Sequence, residues 1–214
     1  MEIGDFEKII EDKETEQIAS SILKEDIKQI SRICEQWGEN EDEVKGRFIK
    51  YWQRVLRRAQ FLADKPVLRK AYQIFLDRQL TAPCTLSNGD FLEFNAMFDG
   101  EKVVMIDWGF GGMMPYSLDI ARFIAHATET RCTFPFYMND SQKELFLNEV
   151  YAGLKDKISY EQFRFDIKLA LLNEYVEFVE AEEDEDDWYL EHAEAIAQEI
   201  CDTLYCKTHC SVVL

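Results

Sequence analysis

The chain has 214 residues, 47% of them hydrophobic, with 42 acidic against 24 basic side chains and a formal net charge of −18. That hydrophobic content excludes a disordered chain and suits one well-buried domain or two small ones. The acidic balance repels phosphate backbones and so argues against nucleic acid as a partner. It favours cationic small molecules or basic proteins.

The N-terminus, "MEIGDFEKIIEDKE", is charged and acidic, unlike a signal or transit peptide, and residues 1–14 are expected to be disordered. No apolar run approaches the roughly 18 residues needed to span a bilayer, which predicts no membrane partner and a soluble, cytoplasmic protein. The six cysteines, at 34, 84, 132, 201, 206 and 210, then read as reduced thiols.

Over the first 80 residues the pattern is helical almost throughout. "TEQIASSILKEDIKQISRICEQWG" carries Ile18, Ile22, Ile27, Ile30, Cys34 and Trp37 at near-helical spacing, with Gly38 as a stop. "EDEVKGRFIKYWQRVLRRAQFLAD" repeats the pattern through Val44, Phe48, Trp52, Val55, Leu56 and Leu62. Its aromatic residues read better as a packed stripe than as a ligand cage. In "KPVLRKAYQIFLDRQL", Pro66 suits the first turn of a third helix.

The character changes at Pro83. "EFNAMF" and "KVVMID" flank Asp99-Gly100, a pair favoured in two-residue hairpin turns, which would set Phe98 opposite Glu101 and Asn95 opposite Val104. The run Val103 to Ile106 is continuously apolar and predicts a strand buried on both faces. "GFGGMMP" reads as a flexible loop, followed by a helix from about Tyr116. Ser141 with Glu144, and Ser159 with Gln162, have the spacing of capping boxes at the starts of later helices.

On this hairpin Asp90, Asn95 and Asp107 converge at one end. Mg²⁺ favours one or two carboxylates completed by substrate phosphates. A further carboxylate set apart from the metal could orient or deprotonate an attacking hydroxyl. For each residue alone, a turn cap, a backbone partner or a strand stop is the simpler reading. The three together point to phosphoryl transfer, in which positioning and charge neutralisation do most of the catalysis.

The segment Asn88-Gly89-Asp90, "FLEF", Asn95, hairpin and Ile106-Asp107-Trp108 resembles the catalytic region of the aminoglycoside phosphotransferase and choline kinase group, which has a protein-kinase-like fold. The group's pattern is His-Gly-Asp, four residues, Asn, a hairpin and Ile-Asp-Trp or Ile-Asp-Phe, followed by Asp-Leu-Ala, here Asp119-Ile120-Ala121. The resemblance implies that Asp90 is the catalytic base, that Asn95 and Asp107 bind Mg²⁺, and that ATP is the co-substrate. It also implies that Asn88, in place of the usual His, and Asp119 support the loop. The group's N-terminal lobe of antiparallel strands has no counterpart in the pattern before residue 83.

Beyond the motif, "EFVEAEEDEDDWYLEHAEAIAQEI" concentrates carboxylates. The resemblance implies a cationic acceptor, with Glu183, Asp184, Asp187 and Trp188 as candidate contacts through ion pairs and a cation–π face. A solvated junction with acids favouring the start of the last helix explains the same residues. Cys201, Cys206, His209 and Cys210 form a C-terminal cluster whose spacing matches no C-x-x-C pair, and "CSVVL" misses the prenylation box.

The expectation is therefore one mostly α domain over 1–214 with a small central β-hairpin, resembling a kinase-like C-terminal lobe without its β lobe. Its catalytic loop and hairpin span 83–112. It would transfer phosphate from ATP to a hydroxyl of a small cationic molecule, alone or with a homodimer or partner protein supplying the missing lobe. The alternative is a non-catalytic interaction protein built on the same lobe.

Overall fold

A computed structural model describes residues 51, 54–79, 81–128, 136–180 and 187–210. The helices expected before residue 50 lie outside these residues. The described chain is mostly helical, with two small antiparallel sheets of two strands each. In order it comprises helix α1 (54–61), α2 (Pro66–Gln79), β1 (Cys84–Ser87), a 3₁₀ turn (Glu93–Asn95), β2 (Ala96–Phe98), β3 (Val103–Met105) and β4 (Gly112–Pro115). Helices α3 (Ser117–Thr128), α4 (Asp140–Leu154), α5 (Tyr160–Glu180) and α6 (Trp188–Cys210) complete it.

Helix α5 is the axis. Its buried positions, among them Phe163, Ile167, Ala170, Leu172, Tyr175 and Val176, point in every direction, so it is enclosed rather than laid on a surface. Helices α2, α3 and α6 pack around it. On α2, Leu68, Ala71, Tyr72, Phe75, Leu76 and Gln79 recur at three- and four-residue spacing and form one buried face. Pro66 opens that helix, where its missing N–H costs nothing.

Polar contacts fix the frame from which the central segment hangs. Arg58 on α1 is buried and donates to Asn173 at 2.9 Å, pairing also with Glu177, while the Tyr72 hydroxyl donates to Asn173 at 2.8 Å. At the far end of α2, Arg78 grips Asp166 of α5 with two bonds of 2.7 and 2.8 Å, and Tyr116 donates to the same carboxylate at 2.9 Å. The two ends of the central segment, just before β1 and just after β4, are thereby held against α5.

Four sequence expectations change here. "GFGGMMP" contributes a strand: β4 pairs with β1 in the register Cys84↔Pro115 to Ser87↔Gly112. The hairpin turn is shifted by one residue: Phe98 pairs with Val103, Met97 with Val104, and Asp99 N–H donates to the Lys102 carbonyl at 3.2 Å, leaving Gly100 and Glu101 at the tip. The Asp99 carboxylate causes this by accepting from the backbone N–H of Glu101 at 2.9 Å and of Lys102 at 2.7 Å. The strand expected to be buried on both faces is exposed at Val103, Val104 and Ile106, because no element of the described chain covers it. Helix α4 begins two residues earlier than Ser141 suggests, capped reciprocally by Asn139 and Gln142. At α5 the Ser159 hydroxyl accepts from Gln162 N–H at 3.2 Å as expected, while the Gln162 side chain turns instead to Asp166.

The Lys102 and Glu101 N–H bonds hold the Asp99 carboxyl below its ordinary value of 3.8. A depressed folded value means that this turn's contribution is present above the unfolded pKa and is lost as pH falls through the folded one. Carbon-detected titration of Asp99 should give a midpoint below 3.8. A midpoint at or above that value would contradict the two backbone bonds to the Asp99 carboxylate.

Candidate functional site

Strand β1 ends at Ser87, and the next residue, Asn88, is buried. Its conformation is set from three sides. Asp119, in the first turn of α3, accepts from Asn88 N–H at 2.6 Å and Gly89 N–H at 3.0 Å. The Asn88 amide donates to the carbonyls of Ile106 and Asp107, each at 3.2 Å, and its oxygen accepts from Asp90 N–H at 3.2 Å. Burial pushes the Asp119 carboxyl up, and the two backbone N–H bonds oppose that.

Gly89 is required for a steric reason. Its φ is +79°, and a Cβ there would meet the Phe110 carbonyl oxygen at 2.3 Å. The backbone of the loop before β2 therefore lies directly on the turn after β3, which no other residue would allow.

Asp90 is fully engaged. Its Oδ1 accepts from Arg122 Nη2 at 2.7 Å and Nε at 2.8 Å, and its Oδ2 accepts from Asn95 Nδ2 at 3.1 Å. The same Asn95 amide also donates to the Asp90 carbonyl at 2.8 Å. Arg122, one helical turn after Asp119, donates onward to Glu174 of α5 at 3.0 Å. Burial alone would weaken the Arg122 proton, but Glu174, Glu177 and Asp90 outweigh it and keep the guanidinium charged. Ile106 N–H donates to the Asn95 carbonyl at 2.8 Å. Asp90, Asn95, Ile106-Asp107 and Asn88 thus form a closed ring of contacts.

Asp107 differs from the others. It has φ +54°, a region that Asp tolerates better than most residues but that still stores strain. Its side chain is exposed and accepts only a long 3.4 Å bond from Gly109 N–H. Among the described residues no donor bonds to the Asn95 side-chain oxygen. An exposed carboxylate just beyond β3 and an amide oxygen just before β2 are a donor set that suits Mg²⁺, which completes its shell with water and phosphate. Among the described residues no group of three or more His, Cys, Asp or Glu converges as a fuller metal centre would need.

Of the candidate acceptor contacts, Glu183 and Asp184 lie outside the described residues. Asp187 is exposed just before α6 with φ +59°. Trp188 packs edge-on against Tyr175 and stacks on His192 with centroids 3.9 Å apart, so much of its ring is already occupied. The backbone of α6 is helical through Cys206, His209 and Cys210, whose side chains lie outside the description, and Cys201 is a half-buried free thiol.

Sequence reasoning missed Arg122 and Glu174. The one available signal was position: Arg122 follows Asp119 by one helical turn and so sits on the same face. No protein-family model, curated protein or solved structure matches the chain.

Substitutions at two positions test this geometry. Gly89→Ala combines a positive φ with a backbone clash and should cost at least about 2 kcal/mol in urea unfolding; a neutral effect would contradict the close approach to Phe110. Arg122→Leu leaves buried Glu174 and the Asp90 carboxylate without their cation and should cost about 3 kcal/mol, with Arg122→Lys recovering part. A loss under about 1 kcal/mol would mean the bridge carries little of the structure.

Proposed function

We propose that the chain is a Mg²⁺-dependent phosphotransferase built on the C-terminal lobe of a kinase-like fold, passing the ATP γ-phosphate to a hydroxyl of a small cationic molecule. The observation that supports it best is the ring linking Asp90, Asn95, Asp107 and Asn88, with an engaged carboxylate on one side and a free one on the other. The different environments of the two carboxylates suit two roles.

Asp90 is the group that meets the acceptor hydroxyl. Held by Arg122, it orients the O–H and takes its proton late, as the new P–O bond forms and the bond to ADP breaks. Asn95 fixes the Asp90 rotamer through its amide nitrogen and keeps its oxygen for the metal. Asp107, held open by its backbone conformation, supplies the carboxylate. Bound Mg²⁺ would neutralise charge on the transferring phosphate. The net charge of −18 draws cationic acceptors towards this surface.

A second reading, a non-catalytic interaction protein, is favoured by the exposed apolar side chains around the hairpin. Phosphorus NMR of ATP with a panel of amino alcohols and aminoglycosides separates the two. The phosphotransferase reading expects a phosphorylated product that falls by about a hundredfold or more in Asp90→Asn. Product formation unchanged by that substitution would overturn the assignment of Asp90, and no product with any acceptor would favour the interaction reading.

A further inference from the structure

The β2–β3 hairpin combines four properties that no feature of the Asp90 site explains. Register places Phe98 beside Val103 on one face and Met97 beside Val104 on the other. These side chains are 69%, 67%, 59% and 51% exposed, so both faces of the hairpin are apolar and open. Trp108 and Phe110, in the turn that follows, extend the same surface and are also exposed. Among the described residues the sheet has only two strands, and no third strand there pairs with the outer edge of either.

A two-stranded hairpin with no covered face is marginal in water. Apolar surface of this extent marks an interaction site. Its shape suits an added strand, with edge hydrogen bonds for affinity and alternating side chains on the two faces.

Charge decides the occupant. Among the described residues, Asp99, Glu101 and Asp107 stand beside the apolar residues with Lys102 and Arg54, so acids outnumber cations here on a chain of net charge −18. A second copy would bring the same acidic rim against itself. Arg54 already sets its guanidinium 5.6 Å above the Phe110 ring, which shows how this surface receives a cation. We infer that the hairpin is the docking edge for an extended segment of a separate, basic protein, with apolar residues alternating with Lys or Arg. The inference is independent of whether Asp90 transfers phosphate.

The test uses the full chain and three fluorescent peptides of about ten residues. One alternates leucine with lysine, one leucine with glutamate and one serine with lysine. The leucine–lysine peptide should bind at least about tenfold more tightly than either control, and roughly tenfold more weakly when salt rises from about 0.05 to about 0.5 M. It should slow hydrogen exchange at the β2 and β3 amides. Phe98→Asp with Val103→Asp should weaken it by about tenfold or more. Because those substitutions add negative charge, such a loss cannot come from weakened attraction to lysine. Met97→Asp with Val104→Asp on the other face provides a second variant, and both pairs are exposed, so thermal melting should confirm that each folds.

Binding insensitive to both variants would overturn the inference, as would equal binding of the serine–lysine peptide. Dimers in sedimentation equilibrium that dissolve in the variants would assign the edge to a second copy and overturn it too. No peptide binding, with hairpin amides already fully protected in the monomer, would assign the edge to the chain's own residues 1–50 with the same consequence.

Discussion

The bridge from Asp90 through Arg122 to Glu174 is the contact on which the central segment depends. It joins the loop after β1 to α3 and α3 to α5, the enclosed helix at the centre of the fold. A partly buried guanidinium between two carboxylates is worth keeping only if all three are present, since losing one strands the others away from water. Asp119, one turn earlier on α3, holds the same loop by its backbone. Together they let a short, irregular stretch keep a defined shape without a large sheet behind it. Arg58 plays a comparable part on the same stretch of α5, joining α1 to Asn173 and Glu177.

The consequence for chemistry is an asymmetry between two aspartates on one scaffold. Asp90 is immobilised by three donor groups, whereas Asp107 is exposed and held in a left-handed backbone conformation with almost no partner. Fixed and free carboxylates side by side are what proton handling and metal binding respectively call for. Gly89 makes the adjacency possible by letting the two loops touch through the Phe110 carbonyl.

Much of the fold was legible in the sequence because helical periodicity is a strong local signal. Pro66 and the Leu68-to-Gln79 stripe announce α2 directly. The second sheet was not legible: "CTLS" and "GMMP" are four residues each, without alternation, and they pair only because Arg78, Tyr116 and Asp166 bring their ends together. The run Val103 to Ile106 was read as buried because an apolar run reports what a strand can cover, not whether a cover is present. Within the candidate site, the spacing of Asp90, Asn95 and Asp107 predicts that they meet at one end of the hairpin, where Asp90 bonds to Asn95 and the Asn95 carbonyl to Ile106 N–H. Arg122 and Glu174 were not legible, since an ion pair across 32 residues and another across 52 leaves no local pattern.

The most direct measurement of the central claim is calorimetric titration of ATP into the purified full chain, with and without Mg²⁺, beside Asp107→Ala. The account predicts binding that requires Mg²⁺ and disappears in the variant, because the exposed Asp107 carboxylate is the one charged side chain assigned to the metal. Nucleotide binding that is unchanged by removing either Mg²⁺ or the Asp107 carboxylate would contradict it, as would no binding at roughly millimolar ATP.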